Sequence, residues 1–202
     1  MNRNMFEQSR IAAREIAALG AERIDAILLS AADAVEAHAE ELLAANATDC
    51  AALDPSDPRY DRLLLTGQRI ADIAEGMRAV AALPSPLDVT LESITRPNGL
   101  LIRKVSAPFG VIGVIFEARP NVAFDVFALC FKAGSACLLK GGHEAAATNA
   151  AAAAILRGVL EANGVSPDAV VLLDAGHDAA LAMLRARGEV DLVIPRGSRR
   201  LI

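Results

Sequence analysis

Three short stretches concentrate the residues that could do chemistry. In LLKGGHEA, residues 138–145, Lys140 ends an apolar run and Gly141, Gly142 and His143 follow before an alanine-rich segment. Glycines let backbone N–H groups approach an anion, a helix N-terminus favours negative charge, and a lysine adds a full positive charge. In VIPRGS, residues 193–198, the order recurs: an apolar run, then Pro195, Arg196, Gly197 and Ser198. In FEARPN, residues 116–121, Glu117, Arg119 and Asn121 crowd the end of a third apolar run. The Arg119 guanidinium can hold a carboxylate or phosphate through two N–H groups. The Asn121 amide can donate to a developing oxyanion.

Taken singly, each stretch also has a plain reading. Lys140 to His143 can be an ordinary strand-to-helix turn, Glu117 can pair with Arg119, and Asn121 can cap a helix. Arg196, Arg199 and Arg200 can be a solvated basic turn. Neither GxGxxG nor GxxxxGK[ST] is present. Two basic, glycine-bearing exits in one chain point together to an anionic ligand, with a nucleotide the expected kind.

The elements that must position these residues follow from the apolar pattern. FGVIGVIF (109–116), SACLLK (135–140), AVVLLD (169–174) and VDLVIP (190–195) read as strands. The first is a continuous apolar run, as expected of a strand buried on both faces. Between them lie helical segments: one opened by Pro120 and closed by Gly134, one over 145–162, and one over 177–188. Alternation with short connections predicts an α/β fold, a Rossmann-like parallel sheet with helices on both faces. Ligands of such sheets bind beyond the carboxyl ends of the strands, where all three stretches fall, along with a fourth exit at 174–178. Residues 1–84 precede the sheet as a helical segment. Asp57-Pro58 has the order that starts a helix. Residues 85–108 hold two β-rich runs around Arg96-Pro97-Asn98-Gly99, a β-hairpin and linker. The third division, 109–202, is the Rossmann-like domain.

Of the 202 residues, 53% are hydrophobic and 22% charged, with a net charge of −5. That composition is globular and announces no nucleic-acid surface. No run is long and apolar enough for a membrane span or a signal peptide. Cys50, Cys130 and Cys137 form no CxxC and leave one thiol over in any disulfide scheme, which fits a reduced, cytoplasmic protein. With His38, His143 and His177 they make no metal pattern. Each cysteine lies among apolar residues and reads as packing.

RPNGLLIRKVSAPFGVIGVIFEARPNV, ALCFKAGSACLLKGGHEA and VDLVIPRGS together resemble the γ-glutamyl phosphate reductase family, within the aldehyde dehydrogenase superfamily. The resemblance runs along essentially the whole chain. It implies NADPH-dependent reduction of L-glutamyl 5-phosphate to glutamate 5-semialdehyde, with release of phosphate, after glutamate 5-kinase in proline biosynthesis. Lys140 matches the superfamily lysine that reaches the adenosine ribose. His143 stands where NAD-preferring members often carry a glutamate for the ribose 2′-hydroxyl; a carboxylate there would repel a 2′-phosphate. Pro195, Arg196, Gly197 and Ser198 match the turn that approaches the cofactor pyrophosphate, and Arg119 and Asn121 lie in the substrate-facing stretch. The superfamily nucleophile is a cysteine of a separate catalytic domain, which none of the three cysteines matches. The resemblance therefore implies a cofactor-binding half that is inactive alone, and oligomer contacts through the hairpin are a further expectation it carries. A coenzyme-A-type acylating aldehyde dehydrogenase and a non-catalytic interaction module on the same fold are the alternatives.

Overall fold

A computed structural model describes residues 3–197 of the chain. Five helices come first: α1 (Arg3–Ala17), α2 (Ala21–Ala37), α3 (Ala39–Cys50), α4 (Tyr60–Leu63) and α5 (Gly67–Ala82). α2 buries Ile24, Ile27, Leu28, Ala31 and Val35, the i, i+3/i+4 stripe of its sequence, against α5 and later helices. A hairpin follows, β1 (Thr90–Thr95) and β2 (Leu101–Val105), antiparallel with Ile94 opposite Ile102. The rest alternates: β3 (Val111–Phe116), α6 (Asn121–Lys132), β4 (Ala136–Lys140), α7 (Ala146–Ala162), β5 (Val170–Leu172), α8 (His177–Arg185) and β6 (Leu192–Arg196). A 3-10 turn, His143–Ala145, leads into α7.

β3 to β6 form one parallel sheet in the order β5-β4-β3-β6. Right-handed crossovers place α6 and α7 on one face. The chain then passes from one edge, β5, to the other, β6, and α8 covers the opposite face, where its Met183 packs on Gly113 of β3. Every residue of β3 is buried, because both faces are covered. Gly134 closes α6 at φ +69°, with the Gly134 N–H donating to Phe131 and the Ser135 N–H to Cys130. That paired 5→2 and 6→1 arrangement needs a left-handed residue, and glycine adopts it without strain. One apolar core runs through the helical layer and the sheet, from Phe6 to Ala186.

The helix expected to start at Asp57-Pro58 is not continuous with α5. The Asp57 carboxylate accepts the Arg59 N–H, α4 lasts a single turn, and Leu64 is extended. The cause is tertiary. The buried Asn46 side chain donates to the Leu63 carbonyl (2.8 Å) and accepts from the Leu65 N–H (2.7 Å), so neither group serves a helix. Thr66 then caps α5 afresh, its hydroxyl accepting from the Arg69 N–H.

Asp49, at the same end of α3, reaches α7. Its two carboxylate oxygens accept the Ala147 N–H (3.0 Å) and the Thr148 N–H (2.8 Å), and one also takes the Thr148 hydroxyl (2.6 Å). A buried carboxylate satisfying two helix N–H groups is a strong cap. Replacing it leaves those donors without partners in a dry site. D49A is expected to lower the unfolding free energy by about 2–4 kcal/mol in urea denaturation, where an ordinary surface Asp→Ala change stays near 0.5 kcal/mol.

Candidate functional site

The carboxyl ends of the four parallel strands lie side by side, and three hollows open near them. The largest, about 800 Å³, lies between the exits of β3 and β6, where the strand order reverses. Crevices at such switch points are where open α/β sheets bind ligands. Arg119 comes from the β3 exit, Arg196 and Gly197 from β6, and Arg59 and Arg62 overhang from the α4 segment. Four guanidinium groups around one hollow make it suited to a phosphate-bearing ligand. Glu117 and Glu144 temper that charge at its wall.

Arg59 is held in place rather than free. It pairs with Asp57 at 2.7 Å and lies 3.7 Å from Glu144. The Arg59 side chain and backbone N–H together hold the Asp57 carboxyl down to about 2, so the pair stays charged throughout the neutral range. Sequence reasoning missed Arg59 and Arg62. They sit far from the sheet in the chain, and the Asn46 bonds to Leu63 and Leu65, with the packing of Leu63 on Cys50 and Ala145, hold their segment over the strand exits.

A smaller hollow of about 180 Å³ lies between the β4 and β5 exits, lined by Gly141, Gly142, Asn149 and Asp174 among others. Asn149 is buried, and its Oδ1 has no hydrogen-bond partner among the described residues. A buried orphan acceptor wants a donor, which a ligand hydroxyl or amino group can supply. Gly141 lies so close to the Asn149 amide that a Cβ there would meet its Nδ2 at 2.3 Å. Gly142 separates the two hollows, with the Ala118 nitrogen 3.7 Å from where its Cβ would be. The Gly141-Gly142 turn is therefore a saddle over which an extended ligand can pass from one hollow to the next.

The charge logic of that turn differs from the expectation in one respect. The N-terminal N–H groups of α7 are taken by Asp49 and cannot serve an anion. What remains is the backbone of the glycine turn itself and the arginines across it.

The other residues singled out in the sequence are placed as follows. Lys140 is the last residue of β4, partly buried, and His143 is exposed at the start of the 3-10 turn; neither lines a hollow. Pro195 pairs with Ile115 on β6 and is exposed. Ser198, Arg199 and Arg200 lie outside the described residues. Asn121 does not cap α6; its amide donates to Asp125 one turn on, at 2.9 Å. All three cysteines are buried. Burial, helped by the nearby Asp49, pushes the Cys50 thiol up, and a hydrogen bond with Cys130 plus burial raises Cys137 well above the ordinary range. A nucleophilic thiol needs the opposite shift.

Residues 3–201 match the aldehyde dehydrogenase family. The chain is 53% identical over 201 residues to a γ-glutamyl phosphate reductase of Phocaeicola vulgatus, covering 99% of this chain and 48% of that protein. The crystal structure of γ-glutamyl phosphate reductase from Thermotoga maritima superposes with a TM-score of 0.93 at 28% identity, over 98% of this chain and 49% of that one. That from Saccharomyces cerevisiae gives 0.89 at 30% identity, over 98% and 52%. The chain spans about half the length of the curated relatives it matches.

The two glycines of the saddle are expected to differ under substitution. G141A drives a methyl into the buried Asn149 amide and should cost about 1–3 kcal/mol of stability, as overpacking does. In G142A the nearest obstacle is the Glu144 carboxylate, 2.7 Å from the new Cβ and at the end of a side chain that can swing away. Its cost should stay within about 0.5 kcal/mol by chemical denaturation. Equal costs would contradict this packing.

Proposed function

The chain belongs to the aldehyde dehydrogenase family, and from that premise we propose that it supplies the NADPH-binding part of a cytoplasmic enzyme that reduces L-glutamyl 5-phosphate to L-glutamate 5-semialdehyde in proline synthesis. The observation that carries this reading is the pair of hollows on either side of the Gly141-Gly142 turn, one at the sheet's switch point and rich in arginine, one beside the orphan Asn149 acceptor. An extended ligand with a phosphate middle and a hydrogen-bonding end suits that surface. In this reading the adenosine end lies between the β4 and β5 exits against Gly141, Gly142 and Asn149. Lys140 and His143 flank its ribose, and Arg196, Gly197 and Ser198 face the diphosphate. Arg119 and Asn121 hold the acyl substrate. Bound there, NADPH would supply the hydride that reduces the acyl group. Residues 109–202 carry the cofactor, residues 1–84 wall the site through Arg59 and Arg62, and residues 85–108 form the hairpin arm.

None of Cys50, Cys130 and Cys137 serves as the nucleophile in this scheme, since all are buried and none lines a hollow. The acyl phosphate itself is the product of a glutamate 5-kinase, which would supply this enzyme.

The absence of a carboxylate at position 143 supports a 2′-phosphate. Fluorescence titration of the chain should give an NADPH affinity at least about tenfold above that for NADH. H143E should remove most of that margin by weakening NADPH while leaving NADH within about twofold. Equal affinities in the unaltered chain, or no binding of either, would sink the cofactor assignment.

The hairpin is proposed to join copies of the chain. All residues of β1 and β2 are exposed, and the cross-strand partners Ile94 and Ile102 are 43% and 44% accessible. An apolar two-stranded ribbon with nothing packed on it is marginal alone. Multi-angle light scattering should show association of the chain, and I94K with I102K should shift it to monomer; a chain monomeric from the start contradicts the proposal.

A further inference from the structure

A third hollow, of about 410 Å³, adjoins the switch-point cleft and shares Arg62 and Arg119 with it. Its character differs from that of its neighbour. It is closed by α4, α5 and α6, and it holds both signs of charge: Asp61, Asp72 and Asp125 against Arg62, Arg69 and Arg119.

Some of those charges are already spoken for. Arg69 donates to the Asp61 and Leu64 carbonyls and pairs with the Asp61 carboxylate at 2.9 Å. Asp72 is exposed and accepts from Gln68. Three groups are left. Arg62 and Arg119 carry no ion pair to another described residue. Among the described residues, half-buried Asp125 has only one oxygen engaged, Oδ2, by the Asn121 amide. Burial pushes the Asp125 carboxyl above its usual range, against the pull of Asn121 and, less, of Arg196. A cation placed beside it would offset that desolvation. One unanswered carboxylate and two unanswered guanidinium groups, facing one hollow, are complementary to a zwitterion.

We propose that this hollow selects the α-amino-acid head of the substrate, Asp125 accepting the α-ammonium and Arg62 and Arg119 the α-carboxylate, so that the acyl end is directed into the arginine-lined switch-point cleft. The inference rests on the cofactor and substrate reading above and adds to it the group that tells an α-amino acid from a plain dicarboxylate. Asn121 helps to hold the substrate through Asp125: its amide binds Asp125 Oδ2 and leaves the other oxygen for the ligand. The two ends of the substrate are separated by the Arg62–Arg119 divide, so an acyl phosphate lacking the amino-acid head has nothing to fill the third hollow.

Calorimetric titration of the chain with L-glutamate and with glutarate tests this, the side-chain carboxylate standing in for the acyl phosphate. The unaltered chain is expected to bind L-glutamate at least about tenfold tighter than glutarate, the loss typical of an unmade charged hydrogen bond. D125N should erase that preference by weakening L-glutamate alone, whereas R62Q should weaken both ligands together. No preference in the unaltered chain, no binding of either ligand, or a preference that survives D125N overturns the assignment. NADPH titration of the same samples separates the two readings. NADPH bound without L-glutamate preference overturns the head-group assignment only. The preference kept without NADPH binding supports the head-group assignment and overturns the cofactor reading.

Discussion

The Asp49 carboxylate and the Asn46 amide, three residues apart along α3, connect parts of the molecule that no strand pairing joins. Asp49 closes the first turn of α7, and Asn46 grips the backbone on both sides of Leu64 and reaches the Thr148 hydroxyl at 3.3 Å. Cys50, Leu63 and Ala145 pack together beneath this polar knot. The consequence is positional. The β4 exit turn, the start of α7 and the arginine-bearing α4 segment are set relative to one another by a few short bonds in a dry place, where each is strengthened and none is easily replaced by water. The same bonds occupy the first N–H groups of α7, so the positive charge around the cleft is that of arginine side chains.

That arrangement explains why the switch-point cleft is built as it is. Phosphate sites in many α/β sheets combine a glycine turn with an open helix end. Here the glycine turn is kept and the helix end is closed. The positive charge comes instead from Arg119 and Arg196 on neighbouring strand exits and from Arg59 and Arg62 overhead. Guanidinium groups are fixed in shape and always charged, so they can replace a dipole without depending on pH. Arg59, braced by Asp57 and Glu144, is oriented in advance.

Much of this was legible from the chain and some was not. The unbroken apolar run before Phe116 declared a strand covered on both faces, and Gly134 declared a helix end, because burial and left-handed backbone leave direct marks on residue type. The hairpin around Asn98-Gly99 was legible for the same reason. The exits that line the hollows, at Arg119, Gly141-Gly142 and Arg196-Gly197, followed from the parallel-sheet pattern. Asn46 and Asp49 were invisible: in the text they are polar residues near the end of an alanine-rich helix, and the distant groups they hold lie 17 to 102 positions away. The helix that starts after Asp57-Pro58 is cut to one turn by that long-range capture, not by a weak propensity. Arg59 and Arg62 were missed with it, since a site residue supplied from a distant layer leaves no local pattern. Asn121 read as a substrate donor or a helix cap; its amide instead donates to Asp125 one turn on, a partner that sequence spacing did not single out.

The order in which the strands are joined has a bearing on how the molecule is made. β3 is flanked on one side by β4, some 25 residues further along by register, and on the other by β6, 80 residues on, as in Ile112 against Leu192. During synthesis β3, α6 and β4 can close into a compact unit long before β6 has been translated. Through that interval the β3 edge that will receive β6, an apolar strand with unpaired N–H and C=O groups, has no partner in its own chain. Only when β6 docks does the switch-point cleft acquire its second wall. The binding surface is thus the last feature of the sheet to exist, and a nascent chain passes through a stage that is folded in its core and blank at its site.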